Sequence, residues 1–332
     1  MSWETELYEK ANRIADSFRS HPRVVAIALG GSIGRGQIWE HSDLELCLVV
    51  EQRIEELQHF NYIDGMGVEI IQLTRGKLEA FVNEWQGPDR SLLAFPIQIY
   101  QCKILHDPEH VLAPFMHLYD SFLFDDSIVS MKEEEMLKQA DLRLDKARRL
   151  VETGCAKTAA AHLRIGLNFL LLGYYWRNRI LPRSQNRTIH FLKQNSAIIG
   201  HDLLYDLFIL AFCLNLPDSV LKERLLDAQP SIFPIAESSW GSQSSTFLKY
   251  AVDGRLEWGH DQSIIYVYKY CIHRMQANSY DVDSLYDLPS FVESYPELHR
   301  FLDFDDLTPD IVSQWIDLYA AARGRLDSKA IN

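Results

Sequence analysis

Two unbroken apolar runs stand out near the start of the chain, Val24-Val25-Ala26-Ile27-Ala28-Leu29 and Leu46-Cys47-Leu48-Val49-Val50. Rich in β-branched and aliphatic side chains, both read as buried strands. A third strand is predicted over Gly67-Val68-Glu69-Ile70-Ile71-Gln72-Leu73, and a last one over 97–105, closed by His106-Asp107-Pro108. Helical spacing appears over 3–18, where Trp3, Leu7, Ile14 and Phe18 fall on one side, and over 74–85, where Leu78, Phe81, Val82 and Trp85 do. Pro22 ends the first of these and Gly87-Pro88 breaks the second. The polar stretch 51–60 reads as a loop or short helix.

Beyond residue 127 the pattern is helical. Long helices are expected over 131–152 and 156–178, then over 189–193 and 202–214, with a turn or two in 221–226. The stretch 230–245 holds Pro230, Pro234, Gly241 and several serines, and reads as a connecting loop. A further buried helix over 264–275 carries Tyr266, Tyr268 and Tyr270, and the acidic stretch 281–310 suggests short helices. At 332 residues the chain is long enough for two domains. The pattern predicts an α+β protein in two parts, residues 1–125 and an all-helical 126–332.

Between the first two strands lie Gly30-Gly31-Ser32-Ile33-Gly34-Arg35-Gly36 and then Ser42-Asp43-Leu44-Glu45. Gly30 and Gly31 leave the backbone without Cβ atoms, so its N–H groups can close on an anion. Ser32 adds a hydroxyl, and the segment after it could offer a helix N-terminus to phosphate. Asp43 and Glu45 are two apart on a strand, so they share a face, roughly 7 Å apart at Cα, while Leu44, Leu46 and Leu48 face a core. Adjacent carboxylates repel unless a cation lies between them, and hard oxygen donors suit Mg²⁺. A phosphate cradle beside such a pair points to metal-assisted phosphoryl or nucleotidyl transfer. Glu69 shares a strand face with Ile71 and Leu73, an unusual place for a charge. It reads either as a third site carboxylate or as a surface residue of an edge strand.

Gly30-Gly31-Ser32, ten residues, then Asp43-Leu44-Glu45 resembles the signature of the DNA-polymerase-β-like nucleotidyltransferases. Ser32 to Arg35 and Ser42 to Glu45 look most like their antibiotic-modifying members, the aminoglycoside and lincosamide enzymes. The resemblance implies a catalytic domain over roughly residues 1–120, a small mixed sheet with helices on one side, joined to a helical domain that binds substrate. It implies Mg²⁺ on Asp43 and Glu45, an NTP (ATP the expected one) held by Gly30, Gly31, Ser32 and Arg35, and transfer of the nucleoside monophosphate to a small-molecule hydroxyl. Glu69 carries over as the third carboxylate, with Asp64 as runner-up in what looks like a turn. In the aminoglycoside enzymes the first helix after the catalytic domain resembles 131–152 and supplies the base for the acceptor, an acid followed four residues later by a cation. Asp145 and Arg149 have that spacing, with Asp141 as an alternative. Arg177, Arg179, Arg183 and Arg187 form a basic cluster that either helps hold a triphosphate or is a solvated loop. Arg164 and Asn168, one turn apart in an apolar helix, either face a cleft or bridge helices.

Charge narrows the partner. With 33 Lys and Arg against 46 Asp and Glu, the net charge of −13 argues against an enzyme that grips long nucleic acid. The five cysteines are scattered and without a CxxC pair, which suggests buried thiols in a reducing compartment. No apolar leader precedes the first helix and 163–176 is too short to span a bilayer. The expectation is a cytoplasmic monomer or homodimer without membrane attachment. Two other readings remain open: a nucleotidyltransferase that modifies a partner protein, and a non-catalytic nucleotide sensor.

Overall fold

Strands β1 (Val24–Leu29), β2 (Leu44–Val50), β3 (Phe60–Ile63), β4 (Met66–Thr74) and β5 (Lys103–His106) form one mixed sheet in the order β3-β4-β2-β1-β5. The computed structural model describes residues 2–85, 97–181, 188–199, 202–256, 259–268 and 284–328. Strands β2 and β4 run parallel with Glu45 opposite Glu69, and the other pairs are antiparallel. One face carries Ile27, Leu29, Leu44, Leu46, Leu48, Val68 and Ile70, which cluster with Leu7, Ala11, Ile14 and Ala15 of helix α1 (Trp3–Arg19). Period two then sends Glu45 and Glu69 to the opposite face. Trp3, expected in that core, is instead 39% exposed, because it lies in the first turn, just after the Ser2 N-cap.

The described chain divides into two compact units. The first comprises Met1–Ile128 together with Ala236–Gly254, the second Val129–Ile235 together with Arg255–Asn332. Three sequence expectations need correction. Strand β3 is not among the expected strands, and only its first residue falls in the stretch 51–60 read as a loop or short helix; it pairs with β4 through a two-residue turn in which Asp64 and Gly65 have φ of 50° and 75°, the hairpin geometry that Asp-Gly favours. The last strand is shorter than expected. Ile97–Ile99 is a 3₁₀ turn, and Gln101 takes φ 51° with its N–H bonded to Asp120 Oδ1 at 3.0 Å, so pairing starts only at Lys103.

The third correction concerns Pro230 and Pro234, which lie inside a helix (Asp218–Trp240) rather than a loop. Leu221, Leu225, Ala228, Ile232 and Ala236 are all buried and keep helical spacing through both prolines, so burial outweighs the two lost hydrogen bonds.

The first unit also contains helices Gly31–Gly34, Arg75–Trp85 and Leu112–Phe122. In the second, the long helices Asp126–Glu152, of which residues 129–152 lie in this unit, Ala156–Arg177 and Pro309–Ser328 are joined by Thr188–Ile199, Asp202–Ala211, His260–Val267, Pro289–Ser294 and Pro296–Phe301. Arg164 is fully buried and donates to Ala211 O and Leu302 O, each at 2.6 Å. The rings of Phe212, Tyr268, Phe304 and Trp315 surround its guanidinium. Arg164 therefore bridges helix ends, the second of its two readings. Arg224 binds Phe301 O, Phe212 O and Cys213 O beside it. Burial, then the charge of Arg164, pushes the Arg224 pKa down to about 10. Tyr266 and Tyr268 are core residues; Tyr270 lies outside the described residues, as do Gly87-Pro88. Among the described residues no helix is long and apolar enough to cross a membrane.

Candidate functional site

Strand β1 ends at Leu29 and the chain turns at once through the single-turn helix Gly31–Gly34, capped by Gly30. The turn fits only because its residues lack side chains. Gly31 has φ 59°, and a Cβ there would stand 2.3 Å from Glu45 Oε2. At Gly34 a Cβ would meet the Leu29 carbonyl oxygen at 2.1 Å. The Gly30 N–H donates to the Glu45 carbonyl at 2.8 Å, so the turn is stitched to the strand that bears the carboxylate.

Asp43 immediately precedes β2, Glu45 is its second residue and Glu69 is Glu45's partner on β4. All three are buried, at 8%, 6% and 8% exposure. One carboxylate oxygen from each lies within 4.8 Å of the other two. Three ionised oxygens at such spacing in a partly desolvated site repel strongly. Hard donors at that separation would fit a Mg²⁺-sized ion.

An imidazole reaches the cluster. His59 Nε2 is 3.0 Å from Glu69 Oε1, and Nδ1 is 3.1 Å from the Ile70 carbonyl. Burial lowers the His59 pKa, but the hydrogen bond to Glu69, its charge and the Ile70 carbonyl outweigh burial, so the net shift is upward. Sequence reasoning missed His59, which sits just before β3 in the stretch read as loop and shares no spacing with the motif.

Of the residues singled out in the sequence, Asp43, Glu45 and Glu69 come together, and Gly31, with Gly30 and Ser32 in the same turn, lies against Glu45. Ser32 Oγ donates to Ser42 Oγ at 3.3 Å. Arg35 closes the turn, its N–H bonded to the Gly31 carbonyl. Asp64 is the hairpin residue and pairs with Arg13 at 3.0 Å, exposed. Asp107 accepts from the N–H groups of Val111 and Leu112, a turn role, as expected.

Asp145 belongs to the second unit, where it is exposed and pairs with Arg148 at 3.1 Å rather than with Arg149. Asp141 pairs with Arg323. In the basic cluster, Arg177 is held by Glu133 at 2.5 Å and by the Leu326 carbonyl; Arg183 and Arg187 lie outside the described residues.

No protein-family model matches the chain, and no curated protein matches it in sequence. Among solved structures the chain is similar to a nucleotidyltransferase-like protein from Exiguobacterium sibiricum 255-15, at 14% identity over 90% of each chain, with a TM-score of 0.35. That likeness is too loose to carry an argument about the site.

Proposed function

We propose that the chain is a Mg²⁺-dependent nucleotidyltransferase. It moves a nucleoside monophosphate, AMP from ATP as the expected case, to a hydroxyl of a small molecule and releases pyrophosphate. The observation that carries this reading is the meeting of Asp43, Glu45 and Glu69, three buried carboxylates with oxygens within 4.8 Å of one another, with Gly31 of the glycine turn directly against Glu45. A solvated acidic strand face would not bury its acids or need glycine against them.

Asp43 and Glu45 are the assigned Mg²⁺ ligands. When bound, the ion neutralises charge on the phosphoryl oxygens and orients the triphosphate. The chain's own groups do the rest. The backbone of Gly30 and Gly31, with Ser32 and Arg35, holds the β- and γ-phosphates. Glu69, oriented by His59, accepts the proton of the acceptor hydroxyl. The acceptor oxygen bonds to the α-phosphorus as the α–β anhydride bond breaks, and pyrophosphate leaves with the electron pair. An antibiotic with free hydroxyls is one acceptor class the motif suggests.

The test is incubation with Mg²⁺, each nucleoside triphosphate and a panel of hydroxyl compounds, followed by pyrophosphate release and acceptor mass. The expected result is a mass gain of one nucleoside monophosphate on a small molecule, lost in Asp43→Asn. Activity retained in Asp145→Asn and lost in Glu69→Gln supports Glu69 as the base. Label found only on protein makes the chain a protein-modifying enzyme, and label on nothing contradicts transfer.

A further inference from the structure

Asp43 is held in place from the far side of the sequence. Ser42, its neighbour, is fully buried and uses every polar group it has within the first unit. Its N–H donates to the Trp39 carbonyl at 3.0 Å. Its Oγ accepts from the Trp39 N–H at 3.1 Å and from Ser32 Oγ at 3.3 Å. Its carbonyl accepts from the Tyr250 hydroxyl at 3.3 Å, across 208 positions of sequence.

Tyr250 stands on helix Ser244–Arg255, whose residues 244–254 lie in the segment Ala236–Gly254 of the same unit. That helix lies on the carboxylate face of the sheet. Phe60 is paired with Glu69 and Tyr62 with Gly67, so all four share the face of Glu45. Phe247 stacks on Phe60 with ring centroids 4.6 Å apart, and Tyr250 meets Tyr62 edge-on at 6.0 Å. A Cβ on Gly67 would stand 2.7 Å from the Tyr250 ring, and one on Gly254 would stand 2.5 Å from His41 Cβ. The helix is thus pressed both onto the strand that carries Glu69 and onto the loop that delivers Asp43.

We infer that Tyr250 is a positioning residue for the metal-binding carboxylates, fixing the Ser42 carbonyl and hence the direction of Asp43. The inference rests on the proposed metal site and goes beyond it, because no part of the Gly-Ser and Asp-x-Glu motif reaches residue 250. Ser42 also joins the phosphate side of the site, through Ser32, to the metal side. A change at Tyr250 is therefore felt by metal binding before it is felt by folding.

The test is Mn²⁺ binding to the full chain without nucleotide, followed by electron paramagnetic resonance or calorimetry, alongside thermal melting. Wild type is expected to bind Mn²⁺ and Asp43→Asn to lose it. Tyr250→Phe keeps the ring against Gly67 and removes only the hydroxyl, so it should weaken Mn²⁺ roughly three- to tenfold with melting lowered by a few degrees at most. Phe247→Leu thins the packing of the same helix without touching Ser42; it should lower the melting temperature and leave Mn²⁺ affinity unchanged. Wild-type affinity in Tyr250→Phe, or an equal loss in Phe247→Leu, overturns the positioning role and leaves the metal site standing. No Mn²⁺ binding by wild type removes the metal site and the inference with it.

Discussion

His59 Nε2 stands 3.0 Å from Glu69 Oε1, while the other ring nitrogen faces the Ile70 carbonyl at 3.1 Å. Both partners are acceptors, and only the doubly protonated imidazolium donates to both at once. When protonated, the ring holds one oxygen of Glu69 and lends positive charge to a cluster of three carboxylates.

This pairing predicts a pH effect. The folded-state pKa of His59 is raised above its ordinary 6.5, so the pair's contribution to stability is complete below about 6.5 and is lost as pH rises through the folded value. A proton NMR titration without divalent ions should place His59 above 6.5 and bring it down in Glu69→Gln. A value at or below 6.5 in wild type contradicts the pairing.

Gly31→Ala tests the turn. A Cβ there would meet Glu45 Oε2 at 2.3 Å, and φ is 59°. The left-handed strain and the collision together should cost about 1–3 kcal/mol of stability, read by denaturant melts. Nucleotide binding should fall by more than tenfold, since about 1.4 kcal/mol is enough for that. Gly76→Ala is the control, because a Cβ at Gly76 meets nothing within 4 Å.

Arg164→Met should destabilise the second unit by about 3–5 kcal/mol, because the carbonyls of Ala211 and Leu302 lose their donor inside an aromatic enclosure. Arg164→Lys should not rescue it. One ammonium lacks the guanidinium's fork of separated donors. Chemical denaturation of both variants reads the difference.

Pro230 and Pro234 are both exposed within their helix, so replacing either by alanine restores an N–H and loses little packing. Each change should raise stability, by up to about 3 kcal/mol, seen as a higher melting temperature.

What the sequence made legible follows periodicity and local chemistry. The alternation of Leu44, Leu46 and Leu48 with Asp43 and Glu45 assigns faces on β2, whereas Glu69 enters as a site residue only through the family resemblance, alternation alone placing it beside Ile71 and Leu73. What it concealed depends on long-range packing. β3 is only four residues long, so its hairpin shows only in Asp64-Gly65. The helix through Pro230 and Pro234 survives because Leu225, Ala228 and Ile232 are buried, which composition does not reveal. His59 and Tyr250 reach the site by side-chain contacts that no spacing encodes.

The central claim is a metal–triphosphate site on Asp43, Glu45 and the glycine turn. Its most direct test is calorimetric titration of wild type and Asp43→Asn with Mg²⁺ and each of the four ribonucleoside triphosphates. The account predicts Mg²⁺-dependent binding of at least one triphosphate, ATP first, that Asp43→Asn abolishes while staying folded. Binding of no triphosphate by folded wild type, or equal binding by Asp43→Asn, contradicts it.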